Sequence, residues 1–303
     1  MQSNSFTLLA VTASVLFALT GCQNDIEPGV NVSPSTVAAT GNTVTSSTFR
    51  YTNAVFYYRE QSEEYVEIPL KNQAGTYGAS PKGLAIDPAT GAININKSES
   101  GLTYRVWFKP TGASEMSSSE VTIAGINFQS RIYNLSAGDA MATPLYNVQN
   151  NRPTPFGTAN KAVGSEFANE NDRAVATLLS ENMQLKTPKG VEIDTQSGAI
   201  DLRQAVASGV FGAKPVDGTV KNFRLYYRLN DGSRKALNYI DVRLHYYSHA
   251  SSVPASLLAQ ANYKTTATFR QPTPSIGNLP TLTDVEMSAE RPTRPPDVII
   301  VAD

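Results

Sequence analysis

Few residues in this sequence of 303 combine the types and spacings that chemistry requires. The two histidines, His245 and His249, stand four apart, a spacing that brings imidazoles to one face of a helix and also to one face of a strand. A metal would need a third or fourth ligand beside them, and none follows in Arg243-Leu-His-Tyr-Tyr-Ser-His, which reads as a strand. Glu60, Glu63, Glu64 and Glu67 make an acidic stretch. Glycoside hydrolysis uses two carboxyl groups set across a cleft, whereas a run of this kind reads as a solvated face. Asn169 to Asp172, with Asp87 and Asp194, offer oxygens to calcium, but the clustered Asp-x-Asp pattern is missing and the aspartates read as turn formers. There is no HExxH, CxxC, GxSxG or phosphate-cradling glycine loop. The expectation is no catalytic residue, no metal and no cofactor.

The remaining reactive group is Cys22, the sole cysteine. It closes an uncharged apolar segment, Phe6 to Cys22, too short and too quickly followed by polar residues for a comfortable membrane span. That segment reads as an export signal over residues 1–21. Its end, Leu19-Thr20-Gly21-Cys22, resembles the lipobox of bacterial lipoproteins, in which cleavage precedes the cysteine and the thiol is lipidated. The opening Met1-Gln-Ser-Asn-Ser-Phe6 departs from that pattern in having no Lys or Arg. A cleaved secretory peptide or an apolar anchor, with an incidental cysteine, is the plainer alternative. Gln23-Asn24-Asp25-Ile26-Glu27 is similar to the polar, acidic stretch that follows the lipidated cysteine in many lipoproteins of Bacteroidetes. The resemblance implies an outer-membrane lipoprotein, facing either the surface or the periplasm, with the membrane as its first partner.

Apolar residues supply 41% of the chain and charged residues 17%, enough for two domains with cores. A net charge of −1 without a long basic run gives no footprint for nucleic acid. Residues 22–47, rich in Ser, Thr, Asn, Gly and Val, read as a flexible tether. Beyond them the dense aromatic and β-branched runs read as strands.

The strongest signal is a repeat. Ser80 to Ile93 recurs as Thr187 to Ile200, an offset of 187 − 80 = 107. Tyr104 to Lys109 matches Phe223 to Arg228 at 223 − 104 = 119, and the same offset carries Val121 to Phe128 onto Ile240 to Tyr247 without a gap. The second copy therefore holds 119 − 107 = 12 extra residues between Ile200 and Phe223. Within the repeat, Asp87 and Asp194 open a turn that Gly91 and Gly198 close, which predicts a hairpin with a glycine bulge. Pro81-Lys82-Gly83 and Pro188-Lys189-Gly190 lead into it, and Asn230-Asp231-Gly232 predicts a second tight hairpin turn. Gly112 to Glu120 is its looser counterpart. Aromatic residues come in adjacent pairs, Tyr57-Tyr58, Trp107-Phe108, Tyr226-Tyr227 and Tyr246-Tyr247. Strand geometry sends one of each pair to the core and one outward, where exposed rings could stack on sugars or meet protein, although cover by the tail or cross-strand packing is the favoured reading.

The pattern Gly-Leu-x-Ile-Asp-x-x-Thr-Gly-x-Ile, followed by long strands, resembles immunoglobulin-like and cadherin-like β-sandwich repeats of bacterial surface proteins. It implies an all-β chain of two tandem sandwiches, residues 48–135 and 136–252. Residues 162–185 fit helix or strand equally. Residues 253–303 read as a Pro-rich extended tail whose Val298 to Val301 lays a strand on a domain or a partner. Such folds host many functions. The expectation is a non-catalytic role in adhesion or in binding protein or glycan. The alternatives are an envelope assembly component docking through its tail and, last, a glycan hydrolase.

Overall fold

The computed structural model describes residues 49–60, 64–148, 154–155, 164–169, 190–268 and 292–303. All of them fall in one compact unit, Ser47–Asp303. The chain first forms β1 (Val55–Phe56), β2 (Val66–Glu67), β3 (Gly75–Ser80), β4 (Ile93–Asn94), β5 (Leu102–Pro110), β6 (Ser117–Ile123) and β7 (Gly125–Asn127). There follow β8 (Arg131–Asn134), β9 (Met141–Ala142), β10 (Leu145–Asn147), β11 (Thr154–Pro155), β12 (Glu166–Asn169) and β13 (Ile200–Asp201). Helix α1 (Leu202–Ala207), β14 (Thr219–Arg228), β15 (Asn238–Tyr247), helix α2 (Ala255–Thr268) and β16 (Asp297–Val301) complete it. Strand outweighs helix, 38% to 12%, in several sheets without a barrel, so the chain is predominantly β.

Two sheets carry the duplication. The first has the order β1-β6-β5-β3 and the second β12-β14-β15-β16-β8. Tyr77 on β3 stands opposite Phe108 on β5, and Phe167 on β12 stands opposite Tyr227 on β14. Each ring presses on the glycine that closes its unit's turn. A Cβ on Gly91 would lie 2.7 Å from Tyr77, and one on Gly198 would lie 2.6 Å from Phe167.

The turns themselves form as the residues dictate. Asp87 Oδ1 accepts the N–H groups of Ala89 and Thr90, both at 2.8 Å. Asp194 Oδ1 accepts those of Gln196 and Ser197 at 3.0 and 2.7 Å. Gly91 and Gly198 hold φ of 72° and 69°, the left-handed region that costs glycine least. Each glycine N–H returns to its aspartate carbonyl at 2.8 Å, and the aspartate N–H reaches the residue after the glycine, so two residues oppose one.

The long hairpins differ from the sequence alignment in one respect. Tyr104 faces Val121 in the first unit, and Phe223 faces Val242 in the second. The last strands therefore align at 242 − 121 = 121, and the second hairpin loop is 121 − 119 = 2 residues longer than an ungapped match allows. Asn230-Asp231-Gly232 does not make the tight turn its composition suggests. The chain there runs through a longer loop in which Arg234 and Lys235 take the positive φ values, 55° and 62°. Asp231 Oδ1 accepts the Ser233 N–H at 2.8 Å, and Gly232 leaves room for the ring of Tyr57. The extra residues after Ile200 form α1 and the loop behind it. Asp201 caps α1 by accepting the Gln204 N–H at 2.9 Å, and Leu202 and Ala205 are buried.

Each sheet buries its inner face in its own core. The first gathers Phe56, Tyr77, Ile93, Tyr104, Phe108 and Ile123; the second gathers Tyr133, Phe223, Val242, Leu244, Val298 and Ile300 among others. Ile126, Phe128 and Tyr133 also pack in the second core, so that core draws on residues before 136. Two aromatic pairs split as strand geometry requires: Phe108 and Tyr58 are buried and Trp107 and Tyr57 half-buried. In the other two pairs both rings are buried.

Within residues 253–303, read as an extended tail, the terminal strand laid on a domain forms as β16, while residues 255–268 are helical instead of extended. Pro254 precedes α2, and Leu257, Ala261, Lys264 and Thr268 recur on one face at helical spacing. That face covers Tyr247, Ile299, Val301 and Ile132 on the outer side of the second sheet. β16 then runs parallel between β15 and β8, paired on both edges and buried at all five residues. A strand covered on both faces needs no alternation, which explains the unbroken Val298-Ile-Ile-Val301 run. In the first unit the corresponding place beside β6 is taken by β1, which pairs parallel through Val55 and Phe56. The C-terminal strand thus stands in the second sheet where the entering strand stands in the first.

Candidate functional site

Three places bring chemistry-bearing side chains together. The first is the outer face of the two sheets. Arg105 on β5 stands directly opposite Glu120 on β6, and Arg224 on β14 stands directly opposite Asp241 on β15. The offsets that align the strands, 119 and 121, carry one pair onto the other. Two residues from each arginine lies an aromatic, Trp107 in the first unit and Tyr226 in the second, with Tyr239 opposite the latter. Trp107 lies over Gly78, where a Cβ would come within 2.1 Å of the indole. Arg224 grips Asp241 with two hydrogen bonds of 2.6 and 2.8 Å and covers the Tyr239 ring at 3.8 Å. The Asp241 hydrogen bond, opposed by partial burial, raises the pKa of the guanidinium. Both units therefore set an arginine opposite a carboxylate and near an aromatic ring. Arg105 and Tyr226 are buried, while Trp107, Glu120, Arg224, Asp241 and Tyr239 are at least partly exposed, and these open members are suited to stacking and hydrogen bonding.

The second place is buried and centres on Asp297, the first residue of β16. Its Oδ2 accepts from Lys264 Nζ at 2.6 Å, and its Oδ1 lies 2.9 Å from His245 Nε2 and 3.7 Å from Arg243. Lys264 Nζ also donates to the Pro295 carbonyl at 2.6 Å, and the Asp297 N–H donates to Ser130 Oγ at 2.9 Å. The side chains of Asp297, Lys264 and His245 are 0%, 4% and 8% exposed. Burial alone would raise the Asp297 carboxyl, but hydrogen bonds from His245 and Lys264 outweigh it and hold the group below the ordinary carboxylate range. Burial pulls the Lys264 ammonium down, against the support of Asp297. The cluster ties α2, β15, β16 and the residue before β8 together. It is a closed set of partners, suited to locking a helix onto a sheet.

The third is the junction of the two units. Ser100 Oγ and Tyr227 OH lie 2.8 Å apart, and Asn238 Nδ2 donates to Ser100 Oγ at 3.0 Å. Arg294 donates to the Ile126 carbonyl at 2.9 Å and to the Ser100 carbonyl. Burial raises the Glu99 carboxyl there, with the Arg294 charge opposing it. Tyr146 OH donates to Asp231 Oδ2 at 2.8 Å, and burial pushes that phenol well above its usual range.

The residues singled out in the sequence are dispersed. His245 belongs to the Asp297 cluster, while His249 is exposed and pairs with Asp303. Asp87, Gly91, Asp194 and Gly198 serve their turns. Glu60 and Glu64 are exposed, Glu67 is half-buried, and Glu64 accepts from Asn94 Nδ2 at 3.2 Å. Cys22, Glu63 and residues 170–172 lie outside the described residues. Among the described residues no group of three or more His, Cys, Asp or Glu is placed to hold a metal, and no helix is long and apolar enough to cross a membrane. Lys264 and Asp297 escaped the sequence reading, although Pro254 and the spacing of Leu257, Ala261 and Lys264 carried a helix signal.

One further surface has no counterpart in either core. Residues 64–71 pass through β2 to a bend at Leu70 and Lys71, with Tyr65 turned onto the first core and Pro69 buried against Gly91. Their alternate neighbours Val66, Ile68 and Leu70 are 43%, 63% and 52% exposed. The Leu70 N–H donates to the Arg50 carbonyl at 3.0 Å, so this stripe lies beside the point where the chain enters the fold.

No family model matches the chain, and no curated protein matches it significantly.

Proposed function

We propose that the protein is an outer-membrane lipoprotein, anchored through Cys22, whose two units are immunoglobulin-like or cadherin-like sandwiches that bind a protein or glycan partner at the cell envelope without catalysis. The observation that carries this reading is the register shared by the two outer faces, whose partly exposed members are Trp107 and Glu120 in one unit and Arg224, Asp241 and Tyr239 in the other. Turn and core residues recur because the fold needs them. The Arg224–Asp241 pair beside the exposed Tyr239 ring is also what recognition of a polar, partly apolar partner uses. Two such faces in one compact unit would engage a repetitive partner at two points, which multiplies affinity without new contacts. The alternative of docking through the C-terminal tail draws no support from β16, because both edges of that strand are already paired within the chain.

Protease accessibility on intact cells of the native organism, with a Cys22→Ala control, tests the reading. Degradation before lysis is expected for a surface-displayed protein, and Cys22→Ala should leave the membrane fraction. Protection until lysis would overturn adhesion and direct the search to a periplasmic partner. Retention of Cys22→Ala in the membrane would overturn the lipid anchor.

A further inference from the structure

We propose that the Val66–Ile68–Leu70 stripe is a membrane-contact edge, seating the first unit on the lipid surface that holds the anchor. The inference rests on the lipid anchor at Cys22 and adds to it a second point of contact.

Three observations converge on this surface. The stripe holds three of the exposed large apolar side chains among the described residues, at alternate positions of one short segment. Its inward neighbours Tyr65 and Pro69 are packed against the first core, so the outward direction of Val66, Ile68 and Leu70 is fixed rather than incidental. Exposed Arg50 and Lys71 flank the Leu70 end, one by the backbone hydrogen bond and one as the next residue. Apolar side chains flanked by cations are the chemistry of a membrane interface, where aliphatic groups enter the acyl boundary and basic groups meet lipid phosphates.

Chain length makes the occupant the membrane. Phe49, where the described fold begins, is 49 − 22 = 27 residues from Cys22. Covalent geometry keeps it within about 95 Å of the lipid however the intervening chain runs. A stripe of three aliphatic side chains would bind free vesicles weakly. Held that near to a bilayer, it meets lipid at an effective concentration on the order of millimolar, so weak insertion becomes occupied. Exposed Glu64 lies at the Val66 end and half-buried Glu67 between Val66 and Ile68 at an alternate position, which tilts the contact toward Ile68 and Leu70.

The test uses the full lipidated protein in vesicles of phosphatidylethanolamine and phosphatidylglycerol carrying nitroxide-labelled lipid. Lipidation consumes the Cys22 thiol, so Ile68→Cys, Leu70→Cys and, as a control, Val216→Cys at another exposed apolar site each take one environment-sensitive fluorophore. Flotation reports anchoring separately from docking. The expected result is flotation of all three, with the fluorophores at 68 and 70 blue-shifted and quenched by lipid at least about twofold more than that at 216. Arg50→Glu with Lys71→Glu should reduce the quenching at 68 while flotation persists. Equal quenching at 68 and 216 overturns the membrane edge and leaves the anchor intact. A blue shift without lipid quenching means that protein covers the stripe, which also overturns it. Failure to float overturns the anchor and the edge with it.

Discussion

Replacing Lys264 by methionine removes one partner of a buried ion cluster while nearly conserving volume. Asp297 would then keep His245 at 2.9 Å and Arg243 at 3.7 Å but lose the 2.6 Å contact from a 4%-exposed ammonium, and the Pro295 carbonyl would lose its donor. Breaking a buried pair from one side generally costs about 3–5 kcal/mol. Because Arg243 remains near the carboxylate and His245 keeps its hydrogen bond to it, the lower end, about 3 kcal/mol, is the expected loss. Urea unfolding followed by circular dichroism at pH 7 measures it. Asp297→Asn alone and the double variant complete a cycle whose coupling should be about 1–3 kcal/mol.

The pH dependence has a definite sign. The Asp297 pKa is lowered in the folded chain, so its contribution is present above the ordinary carboxylate pKa and fades as pH falls through the folded value. The Lys264 pKa is also lowered, so the folded chain again binds fewer protons, and stability rises with pH between the depressed and the ordinary lysine values. Asp297→Asn should flatten the acid limb. A Lys264→Met protein as stable as the parent, with an unchanged acid limb, would refute the idea that this cluster locks α2 and β16 to the sheet.

Two further outcomes follow from the same structure. Gly91→Ala and Gly198→Ala should each destabilise by about 2–4 kcal/mol, because each combines a positive φ with a methyl driven into Tyr77 or Phe167; equal thermal melting of parent and variants would contradict the packing. Removing residues 297–303 takes away two parallel ladders and four apolar side chains buried without exposure, so hydrogen exchange should accelerate across β8 and β15 while Trp107 fluorescence, which reports the first unit, changes less.

The hairpins were legible because their requirements are local. An aspartate that caps its own turn and a glycine with φ near 70° leave the same mark wherever the turn occurs, and the duplication doubled that mark. Asn230-Asp231-Gly232 misled because the same residue types also serve a longer loop, in which Gly232 answers to the ring of Tyr57. The adjacent tyrosines of β14 and β15 broke the alternation rule for a non-local reason. Tyr247 lies under α2, which no pattern within β15 announces. Lys264 and Asp297 are 33 residues apart, and a lysine in a polar helix reads as solvent-facing until its partner is seen. The outer-face pairs were visible as residues but not as pairs, since their equivalence depends on a register shifted by two.

The insertion of β16 sets an order of events during synthesis. β8 is made early, yet its partner in the second sheet is β16, whose first residue follows the end of β15 by 297 − 247 = 50 residues. The first sheet draws only on strands made before β7 and can close while synthesis continues. The second must wait, with Leu244, Tyr246 and Tyr133 short of their neighbours, until Val298 and Ile300 arrive. A nascent chain of this protein therefore carries one finished half and one unfinished half until its last strand is made, and the gap between β8 and β15 stays open until then.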